Sequence, residues 1–183
     1  GDECEAYILH YDGTEWVLPW GTLVGSEQDE DFFGYERFGR CVSISGDLMA
    51  ISAPRSNASS SLAGAILIYR RSNGTWSLEQ TIHGHWNGSM YGNSSLRIDG
   101  TSLFFSSNYD FQENAYPFDT VVIYHFNGSE WVYKQHKKSP TNSAGFGQGD
   151  DPDNDAIDTG FSNPISIDGD IASIGSHIEN RVY

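Results

Sequence analysis

The residues best suited to chemistry in this sequence are four aspartates in a short acidic stretch. Asp151, Asp153 and Asp155 occupy alternate positions of the segment GFGQGDDPDNDAIDTG, and Asp158 follows them. Calcium binds about six to eight oxygen ligands, and alternate aspartates in a tight loop place several carboxylates around one centre. The spacing therefore predicts a calcium site at these four residues, with a solvated acidic loop as the alternative.

A second group of candidates consists of asparagines that begin an N-x-[ST] sequence, the acceptor for N-linked glycans. They are Asn57, Asn73, Asn87, Asn93 and Asn127. Chance alone would give roughly two such sites in a chain of this composition. The excess predicts a glycoprotein that is secreted or displayed at the cell surface. The alternative is that Asn-Gly turns and abundant serine produce three of the five sites without any glycan.

The only cysteines of the chain are Cys4 and Cys41. One disulfide between them would fit an oxidising extracellular compartment. Two cysteines are also compatible with an ordinary cytosolic protein, so their number adds little to the prediction of compartment.

Composition excludes several classes of partner. The chain has 183 residues and a formal net charge of −15. Nucleic acids and anionic membrane surfaces are polyanions that recruit Lys and Arg, so neither is expected as a partner. No apolar run reaches the about 18 residues of a transmembrane helix, so membrane insertion is not expected either.

Catalytic patterns are missing from the sequence. It contains no G-x-S-x-G, P-loop, H-E-x-x-H or C-x-x-C motif, which predicts a protein that is not an enzyme. His83 and His85 could pair around a metal, but two ligands without a third make a poor zinc site. We therefore interpret this pair as the polar end of a strand.

The elements that must position these residues repeat along the chain. Similar hairpin sequences surround Gly46, Gly100 and Gly169, which are 54 and 69 residues apart. A second series runs in parallel with a similar spacing, and its members are Trp16, Trp76 and Trp131. Two independent series with one period of about 55 residues predict a repeat architecture, in which the tryptophans pack between neighbouring units.

One unit reads as four antiparallel strands, predicted at 41–45, 48–53, 65–70 and 76–82. The third strand is apolar on both faces, so both sides of the sheet must be covered. Alternation in the fourth predicts Trp76, Leu78 and Ile82 on one side. Asp-Gly and Asn-Gly pairs predict two-residue hairpins between strands three and four, at Asp12-Gly13, Asn73-Gly74 and Asn127-Gly128.

Four-stranded meanders that are apolar on both faces are stable when they stack around an axis, so the predicted fold is all-β, with the blades of a β-propeller. The chain reads as about three blades, fewer than the roughly four to eight of known propellers, so we expect part of a larger array. The expected organisation is a partial blade of outer strands at 1–34, a complete blade at 35–89, a second at 90–137, an acidic insertion at 138–160, and the first strands of a third blade at 161–183.

The unit resembles the FG-GAP repeat, from which the seven-bladed propeller of integrin α-chain N-terminal regions and of many secreted proteins is built. Phe38-Gly39 corresponds to the FG landmark, and Ser52-Ala53-Pro54 to GAP with serine in place of glycine. The resemblance implies a calcium loop of the form D-x-D-x-D-G-x-x-D. In the acidic stretch Ala156 replaces the glycine of that loop, and the last acid comes one residue early.

The expected function is a non-catalytic extracellular module that contacts other proteins, in adhesion, in matrix or as a structural part of a surface filament. Its partners would be other proteins, copies of itself or further blades, and its cofactors N-linked glycans and calcium. Loops at 54–64, 107–119 and 138–160 would carry specificity. The alternatives are the propeller portion of a secreted hydrolase and a lectin-like, sugar-binding propeller.

Overall fold

The computed structural model describes residues 5–19, 22–24, 37–108, 120–138 and 165–175, and every regular element in these ranges is a β-strand. The strands are β1 (Glu5–Tyr7), β2 (His10–Tyr11), β3 (Trp16–Val17), β4 (Thr22–Val24), β5 (Val42–Ser45), β6 (Leu48–Ala53), β7 (Ala65–Ser72), β8 (Thr75–His83), β9 (Leu96–Asp99), β10 (Ser102–Ser107), β11 (Thr120–Phe126), β12 (Trp131–Lys138), β13 (Ile165–Asp168) and β14 (Ile171–Ile174). Within these ranges there is no helix that could cross a membrane.

Two sheets have the predicted four-stranded antiparallel meander. The first blade has the strand order β5-β6-β7-β8, and the second blade consists of β9 to β12 in the same order from inside to outside. Two smaller units flank them, which we call the half-blade (β1 to β4, in the pairs β1-β4 and β2-β3) and the inner hairpin (β13-β14). The all-β, blade-forming fold expected from the sequence is confirmed.

The fourth strand of the first blade differs from the predicted alternation. A β-bulge shifts the register between β7 and β8, so that Gln80 lies opposite Ile68 while Leu78 lies opposite Tyr69. The extra residue reverses the faces beyond it. Ile82 is therefore buried on the side of the second blade, whereas Trp76 packs on the other side and Leu78 is exposed. The prediction that all three share one face is wrong for this reason.

The three Asx-Gly turns also differ from one another. Asn73 and Gly74 both have positive φ, 51° and 78°, and form the predicted two-residue hairpin. The loops that begin at Asp12 and Asn127 have four residues, because each has one more residue before the tryptophan and the fourth strand starts only at that tryptophan. In both loops the Oδ1 atom of the first residue accepts two backbone N–H bonds, an Asx turn that stabilises the longer loop.

The main core lies between the first and second blades. Alternate residues of β6 and β7 face alternate residues of β9, β10 and β11, as the strand period of two requires. The buried members are Leu48, Ala50, Ile66, Ile68, Ile82, Tyr91, Leu96, Ile98, Leu103, Phe105, Val122, Tyr124 and Trp131. Full burial of a large apolar side chain contributes about 1.5–3 kcal/mol, so this contact dominates the stability of the pair of blades.

Smaller cores lie on the outer sides of the two blades. The half-blade packs Ala6 and Ile8 against Met49 and Ile51 of the first blade. On the far side of the second blade, Ile165 of the inner hairpin is buried together with Val121. The described units therefore stack in chain order, each through its flat face, as blades of a propeller do.

Candidate interaction surface at the upper rim

The strand registers place the connecting segments at two opposite rims. Ala53, Ala65 and His83 lie side by side at one end of the first blade, so segments 54–64 and 84–95 both begin there. We call this end the upper rim. The tight turns after β5, β7, β9 and β11 lie at the other end, the lower rim.

The short repeat motif fixes the upper end of each inner strand. In the first blade the Gly39 amide donates to the Ser52 carbonyl at 3.0 Å, and the Ser52 hydroxyl accepts from the Cys41 amide at 3.0 Å. In the second blade the Gly92 amide donates to the Ser106 carbonyl at 2.8 Å. A side chain at Gly39 is excluded, since its Cβ would lie 2.9 Å from the Glu5 carbonyl oxygen.

The first upper-rim loop, residues 54–64, is held internally by hydrogen bonds. The Leu62 amide donates to Asn57 Oδ1 at 2.6 Å, and the Gly64 amide donates to the Ser56 carbonyl at 3.0 Å. Asn57 and Ser56 are half-buried and buried respectively. This loop therefore has a defined shape although it has no regular secondary structure.

The second upper-rim loop, residues 84–95, is bonded to the first along its length. The amides of Gly88, Met90 and Tyr91 donate to the carbonyls of residues 61, 62 and 63, at 2.9 to 3.2 Å. On its other side, the Asn108 amide of the second blade donates to the Ser89 carbonyl at 2.9 Å. The two loops thus form one continuous surface across both blades.

Polar and aromatic groups are exposed on this surface. Trp86 is 41% exposed, and His83 and His85 are exposed beside it. A shallow depression of about 460 Å³ next to them is lined by Ser59, Gln80, Thr81, Ile82, His83, Gly84, His85 and Tyr124. Burial raises the pKa of Tyr124 to about 12, so its hydroxyl keeps its proton above the pH at which a free tyrosine ionises. The surface offers hydrogen-bond donors and acceptors around one aromatic anchor.

Trp86 was not singled out in the sequence because it lies outside the repeated tryptophan series. Its position within a Gly-, Asn- and Ser-rich loop, where no core-facing period exists, is the signal that could have found it. Its backbone is fixed on both sides by Ser89, whose Oγ accepts from the Trp86 amide at 3.2 Å and donates to its carbonyl at 2.7 Å.

The predicted metal site lies outside the described residues, since Asp151, Asp153, Asp155 and Asp158 all fall between β12 and β13. In the ranges that are described, no group of three His, Cys, Asp or Glu side chains could hold a metal ion. The calcium site therefore stays a prediction.

The five glycan acceptors fall on both rims. Asn73 and Asn127 are exposed at the lower rim, and Asn87 is exposed at the upper rim. Asn57 and Asn93, also at the upper rim, are half-buried. Their modification stays a prediction.

Cys41 is half-buried at the upper end of the inner strand and has no disulfide partner among the described residues, and burial raises the pKa of its thiol. Its predicted partner, Cys4, lies outside the described residues. The disulfide therefore stays a prediction.

Comparison with known proteins identifies the repeat. Residues 28–69 match the family model of the FG-GAP repeat. This part of the chain is therefore similar to an FG-GAP repeat. The matched range contains both landmarks, and therefore the hydrogen bond from the Gly39 amide to the Ser52 carbonyl. FG-GAP repeats are units of propeller-type protein-interaction modules, typically in extracellular or surface proteins. A search of the curated proteins gave no match.

Proposed function

We propose that this protein is a non-catalytic, extracellular protein-contact module, and that the upper rim of its FG-GAP blades binds the partner protein. The observation that carries the proposal is the bonded pair of upper-rim loops that presents Trp86. Interface residues that dominate affinity are often Trp, Tyr or Arg, set in a rigid surface and ringed by polar groups. His85 and the depression next to it supply that polar ring.

The arrangement of glycan acceptors supports this choice of rim. Two of the three exposed acceptors, Asn73 and Asn127, lie at the lower rim. Attached glycans are bulky and hydrophilic, so they would shield the lower rim from contact with other proteins. At the upper rim, Asn57 Oδ1 accepts the hydrogen bond from the Leu62 amide that holds the first loop in shape.

Calcium has a separate place in the proposal. β12 ends at Lys138, which pairs with Thr120 at the upper rim, and the acidic stretch follows later in the sequence. Calcium at Asp151, Asp153, Asp155 and Asp158 would neutralise the carboxylates of that stretch. The role is structural and adhesive, in matrix, in cell contact or in a surface filament.

The proposal is tested by binding of the purified, fluorescently labelled chain to intact cells and to extracellular matrix from the same source. We expect saturable binding that Trp86→Ala weakens by at least 10-fold, while Leu78→Ala, an exposed residue away from both rims, leaves it unchanged. The proposal is contradicted if Trp86→Ala leaves the binding affinity unchanged, or if the parent chain shows no saturable binding to cells or to matrix.

The extracellular part of the proposal has its own test. Mass spectrometry of the protein from its natural source should find N-acetylhexosamine on Asn73 and Asn127. Unmodified peptides at all five acceptors would contradict it.

A further inference from the structure

We propose that Asn73 is a site of spontaneous modification, where the side-chain amide of a chain without a glycan becomes the carboxylate of aspartate or isoaspartate. The site lies in the turn between β7 and β8, at the lower rim. The proposal goes beyond the proposed function, because the reaction needs no partner protein and does not involve the upper rim.

The chain has three Asn-Gly pairs, which are Asn73-Gly74, Asn87-Gly88 and Asn127-Gly128. This dipeptide favours the reaction, because glycine has no side chain to shield its backbone nitrogen from the asparagine before it. A Ser or Thr follows in all three cases. The local sequences are therefore nearly equal, and a difference in reactivity in the folded chain must come from the structure around each pair.

The reaction needs only water and has two steps. In the first, the Gly74 nitrogen attacks Cγ of Asn73 and forms a bond to it, while the Cγ–Nδ2 bond breaks and Nδ2 leaves as ammonia with the proton of the Gly74 amide. The product is a succinimide ring. Water then opens this ring, at the new N–Cγ bond to give aspartate or at the original peptide bond to give isoaspartate. Attack therefore requires a glycine amide without a hydrogen bond and an asparagine side chain that can rotate.

The attacking nitrogen is engaged at Asn87. The Gly88 amide donates to the Ser61 carbonyl at 2.9 Å, as part of the bonding between the two upper-rim loops. Asn87 Oδ1 also accepts from the Ser60 hydroxyl. Both bonds must break before the ring can close, and hydrogen bonds that are lost without replacement raise the barrier. We therefore expect slow reaction at Asn87.

The side chain is engaged at Asn127. Its Oδ1 accepts from the Ser129 amide and from the Ser129 hydroxyl, both at 2.9 Å, and from the Glu130 amide at 3.0 Å. These bonds fix the rotation of the side-chain amide, so Cγ cannot present its face to the Gly128 nitrogen while they last. We therefore expect slow reaction at Asn127 as well.

Asn73 has neither restraint. Among the described residues, neither its side chain nor the Gly74 amide has a hydrogen-bond partner. Both residues are exposed, and a Cβ at Gly74 would meet nothing within 4 Å, so the ring has room to form. The tight turn must open for the ring to close. Its last strand pair, Ser72 with Thr75, lies at the exposed end of the hairpin, where local opening costs least.

A glycan and this reaction exclude each other at Asn73. A glycan occupies Nδ2, the atom that must leave as ammonia, and its bulk covers the turn. Conversion in turn removes the acceptor permanently, since neither aspartate nor isoaspartate has a side-chain nitrogen. An N-linked glycan at Asn73 would therefore protect the hairpin as well as shield its surface.

Isoaspartate would be the more disruptive product. It adds a methylene group to the backbone of a two-residue turn, so Ser72 and Thr75 could no longer pair in the present register. The next residue inward is Arg71, whose amide donates to the Asp47 carbonyl at 2.8 Å and whose guanidinium lies 2.7 Å from Asp47 Oδ1. Conversion at Asn73 would loosen this contact between the hairpin and the neighbouring turn.

The first test compares the three pairs within one chain. The full chain is produced in a host that adds no glycans, its fold is checked by circular dichroism, and it is incubated in mildly alkaline buffer. Peptide mapping by mass spectrometry then follows the replacement of NH2 by OH at each asparagine. We expect Asn73 to react at least about 10-fold faster than Asn87 or Asn127, which corresponds to about 1.4 kcal/mol in the activation barrier.

The matched control is the same chain unfolded in urea, where the structural restraints are absent and all three pairs should react at similar rates. Equal rates in the folded chain, or a faster reaction at Asn87 or Asn127, overturn the proposal. So does a preference for Asn73 that persists in urea, because it would then come from the sequence alone.

The second test removes the acceptor sequence and keeps the Asn-Gly pair. Thr75→Ala and Ser129→Ala each do so for one pair, in chains secreted from a host that adds glycans. Thr75→Ala should show conversion at Asn73. Ser129→Ala should leave Asn127 intact, because the backbone amides of Ser129 and Glu130 still hold its side chain. No conversion in the first variant, or equal conversion in the second, overturns the proposal.

The parent chain from the same host separates this proposal from the proposed function. Its intact glycopeptides should carry unconverted asparagine at residue 73. A parent chain without glycans would contradict the extracellular part of the proposed function, but Asn73 should then convert in the parent as it does in Thr75→Ala. A parent chain that has no glycan at Asn73 and does not convert there overturns the present proposal.

Discussion

Two tryptophans at the same place in the repeat have opposite environments. Trp131 and Trp16 each lie three residues after the turn glycine, Gly128 or Gly13, at the start of a fourth strand. Trp131 is 2% exposed and Trp16 is 68% exposed. The local sequence thus sets the strand and the face of the residue, whereas the neighbouring blade decides whether that face is buried.

The surroundings of Trp131 show what a neighbouring blade supplies. Gln80 of the first blade donates from Nε2 to the Trp131 carbonyl at 2.9 Å and accepts at Oε1 from its amide at 2.7 Å. The guanidinium of Arg70 lies 5.4 Å from the centre of the Phe126 ring next to Trp131. Polar side chains of the first blade therefore form hydrogen bonds and a cation–π contact with the outer strands of the second blade.

The largest expected effect comes from truncating the two tryptophans. Trp131→Ala should lower the free energy of unfolding by about 3–5 kcal/mol, since it leaves a large cavity in the main core. Trp16→Ala, which truncates a side chain that is 68% exposed, should change it by less than about 0.5 kcal/mol. Urea denaturation measures both, and equal losses would contradict the difference in burial.

Two glycines of positive φ sharpen the same comparison. A Cβ at Gly92 would lie 2.5 Å from Ser52 Cβ of the first blade, whereas a Cβ at Gly46 meets nothing within 4 Å. Gly46→Ala should cost about 1–2 kcal/mol for its left-handed backbone alone. Gly92→Ala should cost about 1–3 kcal/mol more, because the blades must move apart. Thermal unfolding of the two variants tests the order, and equal shifts would refute it.

Removal of the Gln80 contacts should have a smaller effect. Gln80→Ala leaves two groups of the Trp131 backbone without their partner, at a cost of about 1–3 kcal/mol. Gln135→Ala, on the exposed side of β12, is the matched control and should stay within about 0.5 kcal/mol of the parent chain. If the two variants unfold at the same urea concentration, the contact between the blades does not contribute.

The smallest effect concerns the buried tyrosines. The Tyr91 hydroxyl is buried and has no hydrogen-bond partner in the described part of the structure, so Tyr91→Phe should raise stability by about 1 kcal/mol. Tyr124→Phe, on a second buried tyrosine of the same core, is the comparison. A loss of stability on Tyr91→Phe would indicate a hydrogen bond to its hydroxyl.

Alkaline pH should destabilise the same core. Burial raises the pKa of Tyr124 to about 12 and also raises that of Tyr91, so the folded chain keeps protons that the unfolded chain loses near pH 10. The contribution of these two tyrosines to the free energy of unfolding should therefore be complete below about pH 10 and fall between about pH 10 and 12. Tyr91→Phe should reduce that slope, and a curve that is flat to pH 12 would contradict it.

The sequence was sufficient for the strands of the first blade because each strand has a complete pattern of its own. The alternation of apolar and polar residues and the Asn73-Gly74 turn are local sequence signals. Because the sequence repeats, similar signals predict the strands of the second blade. The β-bulge at Ile68 was not predictable, since one extra residue in β8 leaves the apolar alternation intact. The four-residue loops after Asp12 and Asn127 were missed because a side chain bonded to the backbone there replaces the turn that the Asx-Gly pair predicts.

The candidate surface was less predictable than the fold. The sequence indicated that the loop at 54–64 would matter, but the contact of this loop with residues 88–91 depends on pairing between segments far apart in the chain. The Gly100 amide donates to Ser45 Oγ and the Gly169 amide donates to Asp99 Oδ2, both at 3.2 Å, and these bonds likewise depend on contact between neighbouring blades. Their signal was present, since Ser45 and Asp99 both precede a turn glycine of the repeat.

Hydrogen exchange followed by mass spectrometry tests most directly whether the two complete blades form one cooperative unit. β6 and β7 of the first blade and β10 and β11 of the second contribute to one core. We therefore expect their amides to exchange slowly and with the same free energy of opening. Trp131→Ala should lower that free energy equally in both blades. Independent opening of the two sheets, with Trp131→Ala affecting only the second blade, would contradict the account.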